Sequence, residues 1–385
     1  MTTKVYAVSH GSELAGAELS LVEICRSLVL HGAEVTVSLP SAGPIEDRFV
    51  DVGCRVIHVP THRWMGKRFN ALIGSVRLCQ ALFDSVWHLI AVRRTRPSVV
   101  LVNTIVCPSG MLAARIAGTR SILFVRESLN SNPSLRCVLP MRVVRFLCVA
   151  MCDRLVVNSE YVNRQFGGGG IVIPPPLNPR FQSETLVSDR ADDVMQNCET
   201  PGVDRPFEIC MVGSIGGDKG QEDFIEALQI LARSGCTNIH STICGTGSDA
   251  EVDVLKGLIL QASANGCHVD FLGSVVDTKA IYSSSDVTVV CSRNEAFGKV
   301  SVESLATGTP VVGYALGGTR EILEHGGGVL VNPCTPQALA RAIRGLYDKP
   351  NSLESMSAEA SENRYIGLTL SSANDAAQVV LDRKL

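Results

Sequence analysis

Short β-branched runs recur along the chain, and each is followed by a segment of helical period. Residues 5–9, 35–39, 55–60, 99–103, 121–125 and 155–158 read as strands. Between them lie amphipathic patterns such as the one that places Leu21, Ile24, Cys25 and Leu28 on one side of a helix. Runs so continuously apolar suit parallel strands covered on both faces. The alternation restarts with strand 207–213 and helix 222–232, then strands opening at Ser241, Val269 and Val287. It closes with a strand within 326–332, the helix Pro336–Tyr347 and a helical tail over 352–385, polar on one face. Alternation of this regularity predicts an α/β protein of two Rossmann-like, doubly wound halves.

Four prolines within residues 171–179 fix an extended path, and residues 183–206 behind them carry neither period. This is the expected connection between halves. The predicted divisions are 1–176, a linker over 177–205, a second half over 206–362, and a last helix over 363–385.

A chain of 385 residues is too long for one ordinary core and suits two domains. Its net charge of −3 leaves no domain-wide basic excess, which argues against nucleic acid as a partner. The fourteen cysteines include no Cys-x-x-Cys pair, the usage of a reduced cytoplasmic protein. Cys148 and Cys152 would share a helix face, where core packing explains them better than zinc. The amino terminus runs into a strand without a long apolar stretch, so no secretory signal is expected. Arg145 and Asp153 interrupt the longest membrane-spanning candidate. Residues 135–147 combine three arginines with bulky apolar side chains, and residues 64–69 are similar. One reading is peripheral contact with an anionic membrane at its inner, cytoplasmic face; the other is a helix packed on the sheet with snorkelling arginines.

Candidate chemistry concentrates after the strand at 287–291. Glu295 lies in the loop leaving that strand, and Glu303 lies about one turn into the helix that Phe297-Gly298 introduces and Gly308 ends. Both carboxylates can reach one pocket at the carboxyl end of a strand and the amino end of a helix, where backbone N–H groups attract anions such as a diphosphate. Gly298 admits a ligand close to the backbone, and Gly317-Gly318 repeats the device after the next strand. The loop 213–221 offers glycines and Lys219, which suit a pyrophosphate, although it is not a Walker loop because Gly-Lys-Ser/Thr is missing. Gly245-x-Gly247 is a weak nucleotide signal. In the first half the strand-to-helix turn 10–18 contains Gly16 and Glu18, while Arg126 and Glu127 end a strand at the ligand edge. A site role and a surface ion pair are both open for Arg126 and Glu127.

Glu-x7-Glu around Phe-Gly, followed by Gly-Thr-Pro-Val-Val and a Gly-Gly turn, resembles the retaining glycosyltransferases of family 4, which have the GT-B fold. The likeness covers nearly the whole chain and is strongest over 208–331. It implies two Rossmann-like domains facing each other across a cleft, with the first on the acceptor side and the second binding a nucleotide-sugar, and a final helix that crosses back. It implies transfer of a sugar from a nucleotide-diphospho-sugar to a hydroxyl of a glycan or lipid-linked acceptor, with no cofactor and no metal. By this resemblance Glu303 holds the ribose, Glu295 meets the donor sugar, Phe297, Gly298 and Lys299 contribute backbone N–H groups, and Lys219 with the Gly16 loop holds the diphosphate. Ser214 stands where the family usually has arginine, Ala15 replaces the first glycine of Gly-Gly-x-Glu, and Arg126-Glu127 occupies the place of a histidine. Rival functions are a sugar-nucleotide epimerase, a glycogen-synthase-like elongating enzyme, and a non-catalytic sugar-nucleotide-binding scaffold.

Overall fold

Thirteen strands form two wholly parallel sheets in a computed structural model that describes residues 2–67, 70–130, 135–182, 205–216 and 218–382. The chain divides into two units, Met1–Pro176 with Leu368–Leu385, and Leu177–Gly367. Most of the linker expected over 177–205 lies outside the described residues.

The first unit contains β1 (Lys4–Val8), α1 (Gly16–Leu30), β2 (Glu34–Leu39), α2 (Glu46–Asp51), β3 (Arg55–His58), α3 (Ala71–Thr95) and β4 (Val99–Val102). It continues with α4 (Ser109–Ala117), β5 (Arg120–Val125), α5 (Met141–Met151), β6 (Arg154–Val157), α6 (Glu160–Gln165) and β7 (Ile171–Val172). Its strand order is β3-β2-β1-β4-β5-β6-β7. Leu21, Ile24 and Leu28 of α1 enter the core against Val5, Val35 and Val37, the face that the helical period predicts. Strand β7 escaped the sequence reading because Pro174 to Pro176 follow it, and a residue without an N–H cannot extend a ladder.

The second unit contains β8 (Phe207–Val212), α7 (Gln221–Arg233), β9 (Ile239–Cys244), α8 (Asp249–Ala264), β10 (His268–Gly273), α9 (Thr278–Ser283) and β11 (Val287–Val290). There follow α10 (Lys299–Ala306), β12 (Val311–Tyr314), α11 (Gly317–Leu323), β13 (Gly328–Val331), α12 (Pro336–Tyr347) and α13 (Pro350–Ser361), and then α14 (Arg364–Leu381), which belongs to the first unit from Leu368 onward. The strand order of the second unit is β10-β9-β8-β11-β12-β13, and Phe224, Leu228 and Leu231 of α7 fill its core with Ile209 and Met211. The helical tail is two helices, α13 and α14, and α14 falls within the last helix expected over 363–385. Between them Asn363 turns its side-chain amide onto the carbonyls of Ile322 and Gly326, at 3.1 and 2.9 Å, which anchors the break. Ala376, Ala377 and Val380 of α14 are buried in the core of the first unit. Arg120 donates to the Val379 carbonyl at 2.9 Å, satisfying one of the open carbonyls at the end of α14.

In each sheet the connections run outward in both directions from two central neighbours, β1 beside β4 and β8 beside β11. The crevice beyond the carboxyl ends of such a pair is where doubly wound sheets bind ligands.

Candidate active site

The second unit assembles its candidate residues at the β8/β11 switch point. Lys219 ends the loop from β8, and its Nζ donates to Glu295 Oε2 at 2.8 Å, with the two side chains 32% and 19% exposed. The loops that carry them are tied together. The backbone N–H of Arg293 donates to Asp218 O at 3.0 Å, and the Arg293 guanidinium meets Asp223 of α7 at 2.5 Å while lying 5.6 Å above the Tyr314 ring. Gly220 takes φ 79°, and a Cβ on it would come within 2.6 Å of the Cys291 carbonyl oxygen. Only glycine lets α7 start so close to the end of β11.

Glu295 is held from the other side by Gly317-Gly318. The N–H of Gly318 donates to Glu295 O at 2.9 Å. A Cβ on Gly317 would lie 2.2 Å from that same oxygen, and one on Gly318 would lie 1.9 Å from Phe297 O. These two glycines, expected to offer a second ligand-approach turn, are thus taken up in seating the Glu295 loop. Phe297 is buried against Tyr365, with ring centroids 6.0 Å apart. Gly298, at φ 102°, caps α10 without a side-chain hydrogen bond, and Lys299 opens the helix. One turn on, Glu303 accepts from the Tyr282 hydroxyl at 3.2 Å. Burial raises its pKa, and the charge of Lys299 acts in the opposite direction.

Ser214 is exposed, and its carbonyl accepts from the Gln221 side chain at 2.9 Å. Gly245 has a packing role that the sequence signal did not reveal: a Cβ there would lie 1.7 Å from Gly213 O. Arg293, Asp223, Tyr314 and Tyr282 were all missed. Their partners lie far along the chain, so no local pattern marks them.

The first unit gathers a second polar cluster, at the β1/β4 switch point and the end of β5. Arg126 Nε donates to Asn103 Oδ1 at 2.8 Å, and Asn103 in turn donates to Ala17 O at 3.0 Å. Glu127 accepts from the Thr104 hydroxyl and, at 3.1 Å, from the Arg126 backbone N–H. Both side chains are largely enclosed, so the surface-ion-pair reading of Arg126 and Glu127 fails: each is bound to the exit of β4. Burial lowers the Arg126 pKa to about 10 and raises that of Glu127. Glu18 is 2% exposed on the first turn of α1. His10 Nδ1 lies 3.1 Å from Glu18 Oε1 but off the line that a hydrogen bond needs. Burial, and then Arg63 and Arg126, push the His10 pKa down to about 3, so the imidazole is neutral and the contact is not an ion pair. Among the described residues, Glu18 Oε2 and Arg126 Nη2 are buried without a hydrogen-bond partner, which marks this cluster as incomplete by itself. Gly16 has open space where a Cβ would stand, and no side chain caps the start of α1.

Among the described residues, no three His, Cys, Asp or Glu side chains group as metal ligands would, and no helix is long and apolar enough to cross a membrane. Trp64 and Met65 are buried, with Trp64 Nε1 donating to Ile105 O at 2.7 Å. That part of residues 64–69 is therefore core rather than membrane-facing; Arg68 and Phe69 lie outside the described residues.

The backbone has the GT-B fold: Anabaena HepE superposes with TM-scores of 0.74 in its complex with UDP and 0.69 in that with UDP-glucose, at 20% identity, covering 99% and 98% of this chain and 98% and 95% of that protein. Residues 15–176 match the glycosyl transferase 4-like domain, and residues 199–363 match the glycosyl transferases group 1 domain. The chain therefore belongs to the GT-B, family 4-like glycosyltransferases and is a transferase. The D-inositol 3-phosphate glycosyltransferase of Xylanimonas cellulosilytica is 27% identical over 87% of this chain and 84% of its own length. The enzyme of the same name from Thermobispora bispora is 45% identical over 20% of this chain and only 19% of its own length.

Proposed function

We propose that this chain moves a sugar from a nucleotide-diphospho-sugar to a hydroxyl of a glycan or lipid-linked acceptor, with retention at the anomeric carbon and without a metal. The observation that carries the proposal is the Lys219–Glu295 pair, 2.8 Å apart beside the glycine-capped start of α10. Departure of a nucleoside diphosphate develops negative charge, and the ammonium of Lys219 with the amino end of α10 supplies fixed positive potential where that charge appears. Glu295, seated by Gly317-Gly318, is suited to accept hydrogen bonds from sugar hydroxyls. Glu303 is enclosed and steered by Tyr282, so a pair of ribose hydroxyls would satisfy its remaining lone pairs. The bond from the anomeric carbon to the β-phosphate oxygen breaks with its electron pair leaving on the diphosphate. The acceptor oxygen bonds to that carbon on the same face and its proton passes to a phosphate oxygen. The UDP and UDP-glucose complexes of Anabaena HepE support a donor of this class.

The test is a thermal-shift screen of the chain with UDP-, GDP-, ADP- and dTDP-sugars, followed by mass spectrometry of glycan and glycolipid acceptors. One donor at ~100 times its dissociation constant stabilises the folded state by about 2.7 kcal/mol. No shift with any donor would refute the assignment. Binding without turnover gives the scaffold, and sugar interconversion without acceptor extension gives an epimerase. A product of inverted anomeric configuration removes retention, and turnover abolished by EDTA removes metal independence.

A further inference from the structure

Helix α3 is folded with its polar side inward. At the spacing of one helical face, Leu72, Val76, Phe83, Val86, Trp87 and Ile90 are all exposed, Phe83 by 64% and Trp87 by 47%. The opposite side is buried and bears Asp84, Ser85 and His88 with small residues at Gly74, Ala81 and Ala91. That buried side is satisfied. His88 takes Tyr6 OH at 2.9 Å and Thr61 Oγ1 at 3.0 Å, and Asp84 accepts from the His62 backbone N–H at 2.6 Å. Turning the helix over would break these bonds and bury groups with no partners, so the apolar side is locked outward.

The charge around this stripe is of one sign. Right-handed crossovers put α3, α4 and α5 on one side of the sheet, and α4 packs against both of the others. Every residue of the three helices is described, and together they carry six arginines and one carboxylate, the buried Asp84. Arg93, Arg94, Arg115 and Arg142 are exposed. Arg94 continues the stripe itself at the end of α3. On α5, Val143 and Phe146 are exposed beside Arg142.

We infer that this face of the first unit docks on an anionic lipid bilayer, with the α3 stripe entering the headgroup boundary and the arginines meeting lipid phosphates. A stripe from Leu72 to Arg94 runs roughly 33 Å, a length over which an in-plane helix can seat its apolar side. A second copy of the chain is the poorer occupant. A two-fold contact through this face would set its exposed arginines against the same arginines with no carboxylate between them. An anionic surface instead gains from each of them. The inference stands on the first unit alone and does not depend on the reaction proposed above.

The full chain is tested by co-sedimentation with phosphatidylcholine vesicles that contain about a third phosphatidylglycerol, against pure phosphatidylcholine, at low and high salt. Preference for the anionic vesicles of about tenfold or more, weakened by salt, is expected. Phe83→Glu and, separately, Leu72→Glu should each weaken binding about tenfold or more, and Arg93→Glu with Arg94→Glu should remove the preference for phosphatidylglycerol. Both apolar sites are exposed, so melting temperatures should hold; if one variant fails to fold, the other still decides. The chain has two tryptophans, and Trp64 is buried, so a blue shift of emission on vesicle binding should vanish in Trp87→Phe while that variant still sediments. Three results would overturn the inference: no binding to either vesicle, binding indifferent to both glutamate substitutions, or a dimer in light scattering that Phe83→Glu returns to monomer.

Discussion

A lysine ammonium paired with one carboxylate in a part-exposed loop contributes little to stability, because solvent screens it. Under the proposed function it changes partners when the donor diphosphate binds. Lys219→Ala should therefore lower kcat/KM for donor turnover by about 10²-fold or more, while the melting temperature moves by no more than about 2 °C. A large loss of stability together with activity would make the pair structural instead. His88 tests a different residue-scale claim. Burial, opposed by the charge of Asp84, holds its pKa down to about 4. A histidine depressed in the folded state binds its proton more readily when unfolded, so its contribution is intact above pH about 6.5 and is lost as pH falls toward 4. Melting curves across that interval should fall less steeply for His88→Gln than for the parent, by on the order of 3 kcal/mol in integrated stability. Parallel curves would mean that the imidazole is charged in the fold.

At the scale of elements, three glycines that look alike in the sequence have different duties. Gly317 is at φ 54° with its missing Cβ aimed at Glu295 O, so Gly317→Ala should cost about 2 kcal/mol or more and release the Glu295 loop, with donor affinity falling alongside. Gly220→Ala meets the end of β11 in the same way. Gly16 lies at the start of α1 in open space, so Gly16→Ala should leave stability unchanged or raise it by up to about 1 kcal/mol. If its backbone approaches the diphosphate, donor binding weakens without any loss of melting temperature. Calorimetry paired with donor titration separates the cases. Most elements themselves were legible: β1, β4, β8 and β11 are short apolar runs that bury both faces, and helix Pro336–Tyr347 has the bounds read from the sequence, with the Thr335 side chain capping its start in the structure. Strand β7 was not, since a two-residue strand has no period, and neither were the Asn363 contacts that anchor the start of α14, since they reach carbonyls some forty positions away.

For the molecule as a whole, donor binding should raise the melting transition of the unit that holds Lys219, Glu295 and Glu303 before any acceptor is present, and lose that effect in Lys219→Ala. Differential scanning calorimetry reads it directly, and a donor that stabilises both variants equally would place the diphosphate elsewhere. The sequence alone determined the two doubly wound halves, the order of their strands and helices, and the loop segments that hold Lys219, Glu295 and Glu303. Hydrophobic period and glycine placement are local properties, and a chain of alternating strands and helices has few ways to bury them. Only the tertiary structure decided that Glu295 meets Lys219, that Tyr282 steers Glu303, that Arg126 and Glu127 bind the exit of β4, and that α3 turns its apolar side outward. Each of these depends on partners distant in sequence, whose directions are set by packing and by the need to satisfy buried polar groups, and neither leaves a periodic trace along the chain.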